Sequence, residues 1–484
     1  MGDRRAIVEP GRGETSYRTL DRLASRVAAR LHALGVAPGD RIGIYLRRSA
    51  DSIAAILGTL RAGCVYVPID PNAPAERNAE ILADCGVAQV LVNQEFDDAL
   101  RSAADRILPR GRIQTLPNAG PGAAIAAWAP DEPRDPPACG NGNACILYTS
   151  GSTGRHKGWL MKREAIEAHA SWVQRMLTVT PDDVFANHAP FNFGMSLFDI
   201  FGSLRCGATL VLIPDEARAI ATRIVDIFER ERVTVSFSAP LVLSLMSSTE
   251  DLERRDLSRL RVVAFAGEAF PARALATLRR RVPGPRYFNF YGSTETNVAA
   301  FHELPKGMDF DESPPIGRPC EHYQWRVVPV GGESAPDDDR GELQLRGAGL
   351  DSSYVNQPEL TRERLVPDAE GGPAWYRTLD LVRELPDGNL RHAGRLGRMI
   401  KLRGYRVEPG EIEARLRQHP AVTEAVVVPE SIGDGLQLVA HLESPRLSAV
   451  ELKEFLSRRL PAYMVPARFE YHPSLPRNLR GKVD

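Results

Sequence analysis

The 484-residue chain contains no run of eighteen apolar residues, so no membrane-spanning helix is expected. It carries no surplus charge: 61 Lys and Arg stand against 62 Asp and Glu, a formal net charge of -1. A protein built to bind nucleic acid or an anionic membrane would show a basic excess, so both classes lose support. The short run Arg279 to Arg281 reads as a solvated helix face. Six cysteines are scattered at 64, 85, 139, 145, 206 and 320, none in a C-x-x-C pair, and no histidine lies at finger spacing. A structural zinc site and a disulfide framework are therefore not expected, and a reducing cytoplasm fits. Met1 to Pro10 is charged and has no apolar core, so a secretory signal is not expected either. Internal repeats and low-complexity tracts are absent.

What is present is ordinary globular material, 43% apolar and 25% charged, in a chain long enough for more than one domain. Strand-like and helix-like segments alternate, which predicts α/β layers. Leu20, Leu23, Val27 and Leu31 recur at helical spacing; Arg41 to Leu46 reads as a buried strand and Ile53 to Leu60 as a helix. Val262 to Ala266 and Tyr287 to Tyr291 read as further strands. The Pro-, Gly- and Ala-rich stretch Pro117 to Asn143 reads as a surface connection. A composition break near His392 to Arg398 precedes a shorter pattern: helix near Glu411 to Gln418, strands near Ala425 to Val428 and Leu436 to Leu442, helix near Ala449 to Arg459. That predicts a small α+β unit over 395–484 behind a large unit over 1–394.

The most informative segment runs from Cys145 to Gly158. An apolar strand enters a loop of hydroxyls and glycines, Thr149, Ser150, Gly151, Ser152, Thr153 and Gly154, and the loop ends at Lys157. Glycines let backbone N–H groups converge on an anion, hydroxyls add donors, and the lysine brings a mobile positive charge. This is chemistry suited to a triphosphate. It is not a Walker loop, because His156 precedes the lysine and Gly158 follows it.

The loop resembles the signature of the adenylate-forming superfamily, which includes acyl-CoA synthetases, nonribosomal-peptide adenylation domains and luciferases. Other segments resemble that family's motifs in order: Ala62 to Pro71, Asn289 to Glu295, Gly341 to Leu343, Tyr376 to Leu381, Gly394 with Arg395, Lys401 to Glu408, and Asn478 to Lys482. The resemblance spans nearly the whole chain. It implies a large multi-subdomain α/β N-terminal domain and a small α+β C-terminal lid. It also implies ATP and Mg²⁺ as cofactors and a two-step reaction. In the first step a carboxylate attacks the α-phosphate and expels pyrophosphate; in the second a thiol takes the acyl group. By this resemblance Thr149 to Gly154 and Lys157 hold the β- and γ-phosphates. Thr294 donates to the α-phosphate, Glu295 holds Mg²⁺, and Tyr291 stacks on adenine. Gly267, Glu268, Asn289, Gly292, Ser293 and Arg395 complete the nucleotide pocket, and Asp380 meets the ribose. Lys482 bridges the substrate carboxylate and the α-phosphate, and Lys401 belongs to the segment that replaces it when the lid rotates. The family's hinge reads Gly-Arg-x-Asp, whereas here Gly397 fills the fourth place.

Phe191 to Phe201 resembles the acid-binding motif of stand-alone ligases that load amino acids onto carrier proteins. Those enzymes place an aspartate where Gly194 stands, and it pairs with the α-ammonium of the substrate. A buried ammonium without a partner is costly, so an ordinary α-amino acid is disfavoured. The other positions that the motifs assign to this pocket are Phe193, Met195, Phe198, Phe237, Ala264, Ala266, Phe290, Val298 and Ala299. These suit a β-amino or an aryl or amino-aryl acid, with Asp199 or a backbone carbonyl as the expected ammonium acceptor. A separate carrier protein is the expected thiol partner. An acyl-CoA ligase for a small or aryl acid is the alternative, and a silent binding protein would require damaged ATP motifs that this sequence does not have.

Overall fold

The structure, a computed structural model, describes residues 2–105, 107–129, 142–151, 156–307, 310, 313–330, 339–432, 435–445 and 447–476. Ser152, Thr153, Gly154 and Lys482 therefore lie outside the described residues. The helical spacing of Leu20, Leu23, Val27 and Leu31 gives the helix Tyr17–Ala33, capped by Ser16 and burying all four leucine and valine side chains. It packs on the helix Ala50–Arg61, where Ser49 and Ser52 form a reciprocal cap. The two helices meet at Gly58, whose Cβ, if present, would stand 2.5 Å from Val27 Cβ and 2.6 Å from the Ala24 carbonyl. Gly58→Ala is expected to destabilise the protein by about 1–3 kcal/mol by overpacking. A denaturant midpoint no lower than that of the parent would show that the helices can part.

Two large sheets carry the body of the chain. A seven-stranded sheet has parallel Val65–Pro68, Arg41–Tyr45, Gln89–Asn93 and Ile113–Leu116 at one side and the antiparallel pair Asn143–Thr149 and Lys157–Lys162 at the other. A nine-stranded sheet includes parallel Val184–Asn187, Val235–Ser238, Val262–Phe265 and Arg286–Ser293, followed by antiparallel Asn297–Leu304. These central strands are buried along nearly their whole length, as parallel strands covered on both faces must be. A five-stranded sheet contains Trp375–Glu384 paired with Leu390–Arg395.

Beyond it a separate apolar core gathers Val407, Ile412, Leu416, Val427, Leu438, Ala440, Leu452 and Leu456. It lies under the hairpin Ile400–Leu402 and Tyr405–Val407, the helices Pro409–Leu416 and Ala449–Ser457, and a three-stranded sheet. The third strand of that sheet, Arg468–His472, runs parallel to Gly435–Glu443 and was not among the expected elements. The architecture is the expected large α/β body with a smaller α+β domain. Gly397 adopts φ 103°, a left-handed conformation that glycine takes without strain, so the residue suits a bend at this point.

The stretch Pro117 to Asn143 is more than a surface connection. It contains the helix Ala123–Trp128, with Ala124 and Ile125 buried. Buried Asp51 accepts hydrogen bonds from the backbone N–H of Gly122 (3.0 Å) and Ile125 (2.7 Å), tying the start of this short helix to the body. The five described cysteines are free and buried. No helix among the described residues is long and apolar enough to cross a membrane.

Candidate active site between the body and the small domain

Thr149 and Lys157 face each other across the antiparallel pair that flanks the hydroxyl-rich loop. Lys157 is buried, and its Nζ donates to Glu408 Oε1 at 3.4 Å. Burial pushes the pKa of Lys157 down, and the Glu408 carboxylate opposes that push. Ser150 Oγ donates to the Arg406 carbonyl at 2.9 Å, and the Gly151 N–H donates to Glu411 Oε2 at 3.3 Å. All three contacts come from the small domain.

The turn between Arg286–Ser293 and Asn297–Leu304 carries the second group. Its backbone is held by a Thr296 hydroxyl that accepts from the Ser293 N–H at 3.0 Å. Gly292 is needed here, because a Cβ would lie 1.6 Å from the Asn297 carbonyl oxygen. Thr294 lines the cavity below this turn. Glu295 is buried and accepts from Tyr354 Oη at 2.7 Å and from Arg406 Nη1 at 3.1 and 3.2 Å. Burial alone would raise the pKa of Glu295. The Arg406 charge and the hydroxyls of Tyr354 and Ser293 instead hold it well below the usual carboxylate range.

Tyr291 lines the same cavity and donates from Oη to Asp380 Oδ2 at 2.6 Å. Arg395 Nη1 donates to the other Asp380 oxygen at 2.6 Å. Burial opposes the charge on Asp380, but His392, Lys401 and Arg395 keep its pKa well below normal. Lys401 lines the cavity with Nζ 5.7 Å from the Tyr291 ring centroid. Gly267 also lines it, with φ 100°. Glu268 stands beside it, its pKa raised by burial against backbone hydrogen bonds from Gly404 and Arg403. Asn289 is turned away: its amide donates to the carbonyls of Pro314 and Pro315 at 3.1 and 2.9 Å, so it braces the strand rather than lining the cavity.

The acid end of the cavity is walled by Phe193, Gly194, Met195, Phe198, Phe237, Ala266 and Val298. Four residues expected there lie behind the wall. Ala264 and Ala299 are fully buried in the sheet, and Phe290 backs Phe198 and Phe237 with centroids 5.7 and 5.3 Å away. Asp199 is turned into the core, where Asn187 Nδ2 donates to it at 3.0 Å, and burial raises its pKa well above normal. It is not placed to meet a substrate ammonium.

Two features were missed by sequence reasoning. His169 and Asn297 line the cavity, although neither belongs to the acid-pocket positions read from the motifs. A seam of ion pairs also joins the body to the small domain: Arg77 with Glu411, and Arg415 with Glu80 at 2.7 Å. The partners in these pairs are more than 330 positions apart, so no local pattern announces them.

Residues 1–355 match the AMP-binding enzyme family, and residues 411–482 match the AMP-binding enzyme C-terminal domain. The chain belongs to the AMP-binding enzyme family. It is an AMP-forming acid ligase of the adenylating kind. It is similar to the L-proline--[L-prolyl-carrier protein] ligase of Streptomyces coelicolor, 36% identical over 95% of this chain and 88% of that protein. The ligase of the same name from Pseudomonas fluorescens is 34% identical over 97% and 92% of the two chains. Among solved structures, the amide bond synthetase McbA from Marinactinospora thermotolerans superposes with a TM-score of 0.86 at 25% identity, covering 100% of this chain and 96% of that one.

Proposed function

We propose that this ligase uses ATP to convert a carboxylic acid other than a standard α-amino acid into an acyl-adenylate, and passes the acyl group to the phosphopantetheine thiol of a separate carrier protein. A β-amino or an aryl or amino-aryl acid is the favoured substrate. The observation that carries the substrate reading is Gly194: it offers no carboxylate at the acid end, and its flanking wall of Phe193, Met195, Phe198, Phe237, Ala266 and Val298 is uncharged. The acceptor reading rests on the carrier-protein ligases to which the chain is similar, and on the likeness (TM-score 0.80, 25% identity) to an artificially fused adenylation–PCP di-domain from Klebsiella oxytoca.

In this reading two anions, carboxylate and triphosphate, must meet, so catalysis is mainly positioning and charge neutralisation. Thr149 to Gly154 and Lys157 take the β- and γ-phosphates, Thr294 the α-phosphate, and Asp380 the ribose hydroxyls. Tyr291 meets the adenine. Glu295 has the oxygen donors Mg²⁺ prefers and would hold it, supplying charge that offsets the phosphates. Residues 395–484 act as a lid that turns near Gly397, bringing Lys482 in for adenylation and the Lys401 to Arg406 segment in for thiol transfer. The described arrangement supports this division of labour. The lid's Arg406 sits on Glu295, Glu408 on Lys157 and Glu411 on the Gly151 amide, so the lid presents a cation to the metal ligand and carboxylates to the phosphate donors.

The test is acid-dependent ATP–pyrophosphate exchange across α-amino, β-amino, aryl, hydroxy and fatty acids. Exchange with β-amino or aryl acids and silence with α-amino acids is expected. Exchange led by an α-amino acid would refute the pocket reading while keeping the enzyme class. Gly194→Asp is expected to shift preference toward α-amino acids. The backbone there is ordinary, and a new Cβ would meet Asn297 Oδ1 only at 3.5 Å and Thr294 Cα at 3.7 Å, so the side chain fits. An unchanged acid ranking in that variant would remove Gly194 from the pocket. A second reading, with an amine in place of the thiol, draws on the likeness to the amide bond synthetase. Offering the wild-type enzyme a carrier protein, CoA and simple amines in parallel decides between acceptors.

A further inference from the structure

The uncharged acid pocket contains polar atoms that the described fold leaves unanswered. Asn297 is 7% exposed and sits at φ 52°, a left-handed conformation that asparagine tolerates better than most residues. Its Nδ2 faces the sulfur of Met161 at 3.7 Å. Sulfur is an acceptor, so this contact orients the amide and leaves the carbonyl Oδ1 to face the other way. Oδ1 is buried without a hydrogen-bond partner among the described residues, and it lies 3.5 Å from where a Cβ on Gly194 would stand.

His169 is the second case. It comes from the helix Arg163–Leu177, is 2% exposed, and lines the same cavity beside Phe198 and Trp172. Neither ring nitrogen has a partner among the described residues. Burial, with a smaller push from His322, takes its pKa down to about 3, so the ring is neutral at physiological pH and offers one N–H and one lone pair. Buried polar groups are nearly always satisfied, and leaving one bare is costly. Two such groups lining the same cavity point to a polar guest.

We propose that Asn297 and His169 are specificity-determining residues that receive a hydrogen-bond donor on the acid's substituent, so that the enzyme's own acid carries an amino or hydroxyl group. The proposal rests on the adenylation reading above and sharpens it: amino- and hydroxy-substituted acids are preferred over their hydrocarbon twins. The Asn297 carbonyl takes the place that the turned-away Asp199 does not fill. An amide oxygen, being uncharged, accepts from a hydroxyl as well as from an ammonium.

The experiment compares kcat/KM in ATP–pyrophosphate exchange for matched sets: butyrate with 3-hydroxy- and 3-aminobutyrate, and benzoate with its hydroxy and amino derivatives. In the wild-type enzyme a donor-bearing acid is expected to exceed its hydrocarbon twin by about tenfold or more. Asn297→Gly, which keeps the left-handed backbone free of strain, is expected to bring that ratio close to one by slowing the donor-bearing acid. Asn297→Asp is expected to raise the amino acid derivative relative to the hydroxy one. His169→Phe should narrow the ratio. Equal rates for twins in the wild type would mean that water satisfies these atoms, and would overturn the proposal while leaving adenylation intact. A ratio unchanged in both Asn297→Gly and His169→Phe would overturn it too. No exchange with any acid would instead strike the adenylation reading, and this proposal with it.

Discussion

Replacing Lys482 by alanine is expected to slow acyl-adenylate formation by about 10²–10³-fold, the loss usual when one donor to a developing negative charge is removed. Transfer from a supplied acyl-adenylate should stay near the parent rate. The asymmetry follows from charge. In the first half-reaction a carboxylate approaches a phosphate, and a cation between them is stronger in the transition state than in the ground state. In the proposed second half-reaction pyrophosphate has left and the nucleophile is a thiol; in the described arrangement the body of the chain faces Lys401, Gly404 and Arg406. Lys482 lies outside the described residues, so its role rests on its motif. The check is to measure pyrophosphate exchange and single-turnover transfer on the same variant. Equal loss in both would remove the assignment.

The second large effect is expected for Arg406→Ala, with the opposite pattern. In the described arrangement Arg406 meets Glu295, and both side chains are largely withdrawn from water. Breaking a buried pair by removing one partner costs about 3–5 kcal/mol, because the other charge is left uncompensated. Here that cost falls on the docked position of the lid. Transfer is therefore expected to drop by about 10²-fold or more, while pyrophosphate exchange stays within a few-fold, since Glu295 would then be free for the Mg²⁺ proposed above. Glu295 has a depressed pKa when docked, so the pair's contribution is fully present above the ordinary carboxylate range and is lost only as the pH falls through the depressed value. Near neutral pH the wild-type lid contact should be insensitive to this group. Raising pyrophosphate with Mg²⁺ should slow transfer in the wild type, because both compete for the groups that Arg406 and Glu408 hold. Parallel losses in exchange and transfer would reduce Arg406 to a structural residue.

Much of the site was legible because its chemistry is contiguous in the chain. A buried strand that enters a loop of Thr, Ser and Gly and leaves at Lys157 holds its whole pattern within fourteen residues. The turn from Asn289 to Glu295 is similarly compact, and the structure brings Tyr291, Gly292, Ser293 and Thr294 to the cavity. The periodicity of Leu20, Leu23, Val27 and Leu31 was enough for the helix that buries them.

The errors have a common cause. Ala264, Phe290 and Ala299 share strands with residues near the cavity, but strand position does not say which sheet face meets the pocket and which meets the core. Asp199 follows Phe198 directly, yet the amide of Asn187, twelve residues earlier, draws its carboxylate inward. Pro117 to Asn143 reads as open connection because it is rich in Pro, Gly and Ala, while the start of the helix inside it is tied down by Asp51, seventy or more residues earlier. The strand Arg468–His472 likewise forms only by pairing with Gly435–Glu443.

By itself, then, the sequence determined the α/β body, the small second domain, the hydroxyl- and glycine-rich loop and the glycine at position 194. Each is a property of residue type, or of spacing within a short segment, and local chain stiffness turns such patterns into local structure. Only the tertiary structure decided which side chains face the cavity, that Arg406 rests on Glu295 and Glu408 on Lys157, and that Asn297 and His169 bring unanswered polar atoms to the cavity. Those outcomes depend on the direction of a side chain. Direction is set by packing and charge from segments hundreds of residues away, which no local pattern encodes.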